Sequence, residues 1–448
     1  MQNTKLKVLK FGGTSMANAS AIKKVCDIVK SDVANKFIVV SAPGKREKAD
    51  IKVTDLLYEA FEQEKKTGEC SKALDKVQKR FEDIIKELNL NLDLSSDFEA
   101  IKLEIKNQPS NCYIASRGEY LSAKVFASAI GYEFVDASEI IRFSTCGRFL
   151  DLTTKELARR RLKDTKGAVI GGFYGANELG TIWTFSRGGS DVTGSIIAGA
   201  MGVCVYENWT DVDGFMAADP RIVDKPDIIE MMTYKELREL SYMGASVLHS
   251  DSIFPLRKKD IPIHIRNTFN PKAVGTLIVP TKKFVAGDFK RKARTVTGIA
   301  GKKFFIAIFI EKSMMNDEIG FARRVLSCLE KHEISLEQMP AGIDTLTILF
   351  DGTFVSDEKL KLLLEDINLE CSPDNLIVEK DLALIAVVGH GMSRNKGTAA
   401  RVCSSLCKAD INIRLLDQGS SELNIIVGIE LADFEKAIKA LHKEFHKN

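Results

Sequence analysis

Between residues 305 and 425 the chain repeats itself at a constant offset of 77 positions, and this repeat limits the fold more tightly than any other feature. Phe305 answers to Leu382, Ile308 to Ile385 and Ile310 to Val387. Gly320, Ala322, Arg324, Val325 and Leu329 answer to Gly397, Ala399, Arg401, Val402 and Leu406, then Ile334 to Ile411 and Ile348 to Ile425, with no gap needed. Each copy reads as an apolar strand, a Gly-led amphipathic helix, a strand opening at Ile334-Ser335 or Ile411-Asn412, and a further strand. A βαβ-type unit of this size cannot bury both faces of its sheet. The two copies are therefore expected to pair with each other or with another subunit. A chance match of two unrelated α/β units is the alternative, and the ungapped register argues against it.

The first half has a different rhythm. Short, β-branched apolar runs at Lys7–Phe11, Phe37–Ser41, Ala168–Gly172 and Val203–Glu207 are separated by amphipathic stretches. That alternation predicts a mainly parallel sheet covered by helices on both faces. Residues 50–107 turn helical and charged and carry no recognisable chemistry. The basic, aperiodic run 281–294 reads as a solvated linker and sets the main boundary, giving domains over 1–294, 295–375 and 376–448. A chain of 448 residues is in any case too long for one core.

Charge and cysteine usage narrow the function class. The 64 basic and 61 acidic residues leave a net charge of +3, too weak a field to favour nucleic acid or membrane, so a small-molecule substrate is expected. The N-terminus alternates lysines with apolar residues and no long uncharged apolar run follows, which points to the cytoplasm. The nine cysteines are scattered, and Cys403 and Cys407 lie one helical turn apart, so they read as reduced thiols rather than a zinc or redox site.

Three segments carry chemistry. Lys10-Phe11-Gly12-Gly13-Thr14-Ser15 follows a strand and leads into a helical stretch, Ala17–Val29. Two glycines let the backbone approach a polyphosphate, N–H groups at a helix start favour negative charge, and Lys10 adds a cation. The Walker A ending is missing. The second segment is Phe185-Ser186-Arg187-Gly188-Gly189-Ser190-Asp191, preceded by the Gly-rich turn Gly171–Gly175; a planar guanidinium suits a carboxylate. The third is the polar turn from Trp209 to Arg221. Each alone could be a tight turn with a capped helix.

Together the three segments resemble the aspartate kinase family, which carries KFGGTS, RGGSD and a TDV…DPR segment in this order and ends in two ACT domains. The resemblance covers essentially the whole chain. It implies an α/β fold: an amino acid kinase-type three-layer α/β/α sheet with ATP at the C-terminal strand edge, followed by two βαββαβ, ferredoxin-like ACT domains. It assigns Lys10, Gly12 and Gly13 to the phosphates and Thr210, Asp211, Met216 and Arg221 to the nucleotide. Ser41, Thr54 and Glu119 go to aspartate, together with the Gly188-Gly189-Ser190 stretch. Arg187 is implied as the clamp on the substrate α-carboxylate, Glu119 as the partner of its ammonium, and Asp191 as the group holding Lys10. Ser246 stands where many members have a lysine near ATP, Ser250 replaces a proline, and Met216 takes a position often filled by tyrosine. His249 is expected to pack or cap a turn.

The implied reaction converts ATP and L-aspartate to 4-phospho-L-aspartate, the entry to lysine, threonine and methionine synthesis. Mg²⁺ is expected to be held mainly by the nucleotide phosphates, with no protein metal site. A glutamate or carbamate kinase shares the leading lysine and Gly-Gly turn, but lacks the other two segments and the paired ACT units. From another class, a catalytically dead amino-acid sensor is disfavoured by the intact Lys10, Arg187 and Asp191. The length is expected to exclude a fused homoserine dehydrogenase, and the long insertion before Glu119 resembles the single-polypeptide, lysine-inhibited class. The ACT domains imply a homodimer, or a tetramer built from it.

Comparison of the two repeats suggests an effector. The first copy has Asp317 and Glu337 where the second has Arg394 and Arg414. With Met314, Met315, Gly320, Phe321 and Ser335 the two acidic residues outline an anionic pocket. Loop N–H groups there could take an α-carboxylate and an acidic side chain the cation, which selects lysine over threonine. The alternative is that these charges simply pair the two ACT units.

Overall fold

The structure, a computed structural model, describes residues 6–446 apart from 108, 187, 246–247, 249–252, 286–293 and 420. It divides into two units: Met1–Phe215, Ile228–Ser241 and Ser246–Arg291 form the first, and Met216–Asp227, Tyr242–Ala245 and Lys292–Asn448 the second. Among the described residues no helix is long and apolar enough to cross a membrane.

The strands of the first unit are β1 (Lys7–Phe11), β2 (Asn35–Val40), β3 (Glu133–Val135), β4 (Ala168–Gly171), β5 (Tyr174–Ala176), β6 (Ile182–Thr184), β7 (Val205–Thr210), β8 (Met231–Thr233), β9 (Ile263–Asn267) and β10 (Thr276–Val279). Eight of them form one sheet in the order β3-β4-β2-β1-β7-β9-β10-β8, while β5 and β6 make a separate pair. Pairing is parallel except between β9 and β10. From β1 the chain first builds outward through β2, then returns to lay β7 against the other side of β1. The C-terminal ends of β1 and β7 thus flank a topological switch point, where open α/β sheets place their ligands. The strand expected at Val203–Glu207 runs over Val205–Thr210, so Trp209 and Thr210 belong to the strand and not to the turn after it.

Alternation along β1 and β7 sorts the two faces. Leu9, Phe11 and Trp209 join a core with Val25 and Val29 of the helix Ala19–Lys30 and with Phe126 of the helix Asn111–Ile130. Asn18 caps the first of these helices by accepting from the Ala21 N–H at 2.9 Å, and Gly131 ends the second at φ 75°. Tyr206 points the other way, onto the helix Gly189–Met201, where a Cβ on Gly194 would lie 2.7 Å from its ring. The excursion at 50–107 consists of three helices, Val53–Thr67, Ser71–Glu87 and Ser95–Lys106, packed into the first face's core.

The second unit contains β11 (Gly298–Glu311), β12 (Leu336–Gln338), β13 (Thr345–Asp351), β14 (Asn375–Val388), β15 (Leu415–Asp417) and β16 (Asn424–Glu430). These form one sheet in the order β12-β13-β11-β14-β16-β15. The two repeats pair with each other, since β11 and β14 run antiparallel along their whole length, from Gly298↔Val388 to Glu311↔Asn375. Midway each strand passes through a left-handed residue, Phe304 at φ 69° and Asp381 at φ 57°. Beyond that point the strand halves serve different cores. Ile306, Ile308 and Ile310 pack with Ile348, Phe350, Leu363, Leu376 and Val378. Val296 and Ile299 pack instead with Ala383, Ile385, Val387, Val402, Val427 and Ile429.

The first repeat is therefore nested within the second, and the sequential division into 295–375 and 376–448 gives way to shared strands. The constant offset also fails at one place. β13 sets Ile348 opposite Ile308, whereas β16 sets Val427, not Ile425, opposite Ile385, because the hairpin before the last strand is longer in the second copy. Of the supposed linker, Thr281–Val285 is a short helix and Arg294 is ion-paired to Asp227 at 2.9 Å; residues 286–293 lie outside the described residues.

Candidate active site

Lys10 and Asn208 are in register on adjacent strands and point to the same face. Both meet one carboxylate: Lys10 Nζ lies 2.6 Å from Asp191 Oδ1, and Asn208 Nδ2 donates to the same oxygen at 2.9 Å. Asp191 sits in the first turn of the helix Gly189–Met201, where the helix dipole favours its charge. The lysine is thereby fixed at the strand end with little exposure.

After Phe11 the chain enters a 3₁₀ turn, Gly13–Met16, before the helix Ala19–Lys30. The Gly12 N–H donates to Trp209 O at 3.1 Å, and the Gly44 N–H to Gly13 O at 2.8 Å. A Cβ on Gly13 would lie 2.9 Å from Ala42 O, so the turn and the loop after β2 touch backbone to backbone. A Cβ on Gly12 would instead meet Lys10 Nζ and Trp209 O at an ordinary contact distance of 3.8 Å each. A bare backbone beside a fixed cation fits the close approach of a phosphate. Thr14 Oγ1 and Thr210 Oγ1 both donate to Asp211, at 3.2 Å each, tying this turn to the end of β7.

Ser41 follows β2 and its hydroxyl donates to Ser190 Oγ at 2.9 Å. Gly188 takes φ 59° ahead of the helix that carries Ser190, and a Cβ on Gly189 would strike the Phe173 ring. Phe173 itself is left-handed at φ 80°, its N–H donating to Thr193 Oγ1 at 3.0 Å. The Gly-rich turn after β4 is thus pressed onto the helix start. Thr54 stands half-buried in the first turn of its helix.

Glu119 comes from the middle of the helix Asn111–Ile130, where Gly118 lets it pass under Ala42. It is buried, and its Oε2 has no partner. Burial pushes its pKa up from the ordinary 4.5 to about 7, against backbone hydrogen bonds at Ala42 and at its own amide and the charges of Arg117 and Lys10. A buried carboxyl with one unpartnered oxygen offers an acceptor to a cationic group.

The structure thus brings Lys10, Asp191, Gly12, Gly13, Ser41, Ser190 and Glu119 to the C-terminal ends of β1, β2 and β4, with Thr210 and Asp211 at the end of β7. Met216 and Arg221 fall in the segment grouped with the second unit, and Arg221 turns its exposed guanidinium onto Asp219 at 2.6 Å. Arg187, Ser246, His249 and Ser250 lie outside the described residues. Of the proposed effector residues, Met315 and Phe321 are buried in the first repeat's core, while Met314, Asp317 and Ser335 are exposed. Gly320 starts its helix at φ 85° without a side-chain cap, leaving N–H groups free of side chains. The second unit's Tyr242 hydroxyl is hydrogen-bonded to Glu337. Arg414 pairs with Glu379 rather than with Glu337.

Sequence reasoning missed Asn208, Gly44 and Arg80. Asn208 was hidden by ending the strand too early, whereas alternation from Tyr206 aligns it with Lys10. Arg80 stands on the otherwise apolar stripe Ala73, Leu74, Val77, Phe81 and Ile84, a misplaced charge that could have flagged it.

The amino acid kinase family model matches residues 5–267, and an ACT domain model matches residues 385–445. Aspartokinase 3 of Bacillus subtilis (strain 168) is 38% identical over 458 residues, covering 98% of both chains. A crystal structure of Clostridium acetobutylicum aspartate kinase, described as an allosteric enzyme, is 43% identical with a TM-score of 0.89, covering 99% of this chain and 100% of its own. E. coli aspartokinase III in complex with aspartate and ADP superposes with a TM-score of 0.73, and in complex with lysine and aspartate with 0.72. Identity is 25% in both cases, over 99% of this chain and 100% of the other.

Proposed function

The chain belongs to the amino acid kinase family and, within it, to the aspartate kinases, and from that premise we propose how its own residues carry the reaction. One oxygen of the β-carboxylate of L-aspartate forms a bond to the γ-phosphorus of ATP. The bond from that phosphorus to the bridging oxygen breaks, and its electron pair leaves with ADP. The nucleophile is ionised near neutrality, with an unperturbed pKa of about 3.9, so no general base is required. Bringing an anion to a polyanion is the difficulty, and positioned positive charge is the remedy.

The observation that carries this reading is Lys10, fixed on Asp191 at 2.6 Å beside the side-chain-free backbone of Gly12. Lys10 with the Gly12 and Gly13 turn faces the phosphates, and Asp191 and Asn208 hold the lysine. Thr210, Asp211, Met216, Arg221 and Ser246 are assigned to the nucleotide. Ser41, Thr54, Arg187 and the Gly188–Ser190 stretch are assigned to aspartate, with Glu119 receiving its ammonium. Mg²⁺, carried mainly by the phosphates, supplies further charge neutralisation when bound. An ADP-release assay tests the substrate: turnover with aspartate and little with glutamate is expected, and the reverse preference refutes the reading.

Regulation is read as feedback by lysine at the first ACT repeat, with Asp317 or Glu337 taking the ε-ammonium. The lysine complex of E. coli aspartokinase III supports this effector. A homodimer through the ACT domains is supported by exposed Met314, Ile319 and Ile343 on the first repeat, 68%, 98% and 71% accessible. The product 4-phospho-L-aspartate would feed lysine, threonine and methionine synthesis in the cytoplasm.

A further inference from the structure

The helical excursion at 50–107, which the reaction above leaves without a role, sends one charged group under the site. Arg80, in the helix Ser71–Glu87, is 4% exposed. Its Nη1 donates to Ile51 O at 2.9 Å, and its Nη2 donates to Ala17 O at 3.3 Å and to Gly44 O. Asp50 Oδ2 stands 3.3 Å from the same Nη2 and balances the charge. Asp50 is itself held by Arg46, from Nε at 2.9 Å and from Nη2 at 3.1 Å.

The three carbonyls belong to two loops with different assignments. Ala17 closes the 3₁₀ turn that begins at Gly13. Gly44 and Ile51 belong to the loop between β2 and the helix Val53–Thr67, which starts with Ser41 and leads to Thr54. That loop has no regular structure of its own; its ties include the Ser41 N–H to Phe11 O at 3.2 Å, the Gly44 N–H to Gly13 O at 2.8 Å and the Val53 N–H to Pro43 O at 3.3 Å. A planar guanidinium spreads its donors over a wide, fixed fork, whereas the three donors of a lysine ammonium radiate from one point and an apolar side chain has none. Burying a guanidinium is costly, and here Nε is left without a partner while both terminal nitrogens are bonded, so the arrangement is not explained by packing of the helix alone.

We infer that Arg80 is a positioning residue, fixing the distance between the phosphate-facing turn Gly12–Ala17 and the aspartate-facing loop Ser41–Thr54. The inference rests on the assignment of those two loops given above. Its guanidinium is turned to backbone carbonyls and to Asp50, so it acts through the loops. A displacement on the order of 1 Å between reacting groups lowers turnover about 10²-fold.

The test compares Arg80→Lys and Arg80→Ala with the wild type in full-length protein, using ADP release at varied aspartate and varied ATP. Thermal melting and circular dichroism serve as checks of folding. Arg80→Lys is expected to stay folded and to lose about 10- to 100-fold in kcat/KM for aspartate, with kcat itself reduced. Arg80→Ala is expected to regain part of its kcat when guanidinium chloride is added at millimolar concentration, well below denaturing levels, while Lys10→Ala does not. Should Arg80→Ala fail to fold, Arg80→Lys decides alone. A folded Arg80→Lys with kcat and both KM values within twofold of wild type overturns the inference. So does a lowered melting temperature with unchanged kinetics, which marks Arg80 as structural only. Wild-type protein that releases no aspartate-dependent ADP would instead sink the functional reading on which the inference rests.

Discussion

Raising the pH from 6 to 8 should lower the aspartate KM of the wild-type enzyme about tenfold, because under the proposed assignment Glu119 has to ionise to receive the substrate ammonium. Its carboxyl is buried with one oxygen unpartnered, and burial pushes its pKa to about 7. About one carboxyl in ten is then ionised at pH 6 and about nine in ten at pH 8. The same shift bears on stability. The folded-state pKa lies above the ordinary 4.5, so folding retains the proton: the stability is fully present below pH 4.5 and is lost as the pH rises through about 7. Above that pH the empty enzyme carries an unpaired buried carboxylate that costs about 3 kcal/mol. Glu119→Gln removes this cost together with the ammonium partner. The variant should melt higher than wild type at pH 8 without aspartate, yet show a raised aspartate KM that no longer depends on pH. Initial rates at saturating ATP between pH 6 and 8, with the ATP KM as control, and melting curves at pH 8 supply the measurements. A flat wild-type KM, the same pH dependence in Glu119→Gln, or a variant that melts lower at pH 8 would refute the reasoning.

Lys10→Ala should leave a folded protein with kcat reduced about 10²- to 10³-fold, measured at saturating ATP; near-normal turnover would remove Lys10 from the reaction. Gly44→Ala would set a Cβ 2.7 Å from the Gly13 carbonyl carbon, so the two loops must separate. A loss of about 1–3 kcal/mol in denaturant melts is expected, with both KM values raised, and an unperturbed variant would mean the loops do not touch as described. Glu337→Ala should relieve lysine inhibition while leaving uninhibited turnover unchanged, since a coupling of about 1–3 kcal/mol underlies 5- to 150-fold inhibition. Lysine titrations of the two proteins decide this, and unaltered inhibition assigns the effector's cation elsewhere.

The grouping of the candidate site was legible where chemistry requires a residue type at a strand end. Lys10 before Gly12 and Gly13, and Asp191 in the first turn of a Gly-led helix, are local signals, and the fold brings these segments together because β1 is the switch strand. What was not legible is the company these residues keep. Asn208 is an unremarkable polar residue in an apolar strand, and only its register with Lys10 gives it a partner in Asp191. Glu119 gave no sign of burial on its own, because beyond its neighbour Gly118 its surroundings come from Ala42 and Gly171, two segments far from it in sequence. Arg80 is intermediate: its place on an apolar stripe could be read, but its three carbonyl partners could not.

The repeats illustrate a different limit. Periodicity identifies a unit and its register, and the helices Phe321–Lys331 and Thr398–Lys408 do keep the offset of 77, each led by a glycine at φ 85°. Periodicity does not decide which copy of a strand joins which core. β11 carries buried apolar residues on both sides of Phe304, Ile299 and Ala300 before it and Phe305 to Ile308 after it, so pattern alone does not assign either half to one core. The choice is made by the left-handed bend at those two equivalent residues, which reverses which side chains face which helices, and by the antiparallel pairing of the two strands over 14 residues each. Because both strands continue through the bend, neither core can form without backbone supplied by the other. The two repeats are therefore expected to unfold as one cooperative unit, and a cut between residues 375 and 376 should yield fragments that fold together but not apart, as hydrogen exchange on the separated and mixed fragments would reveal.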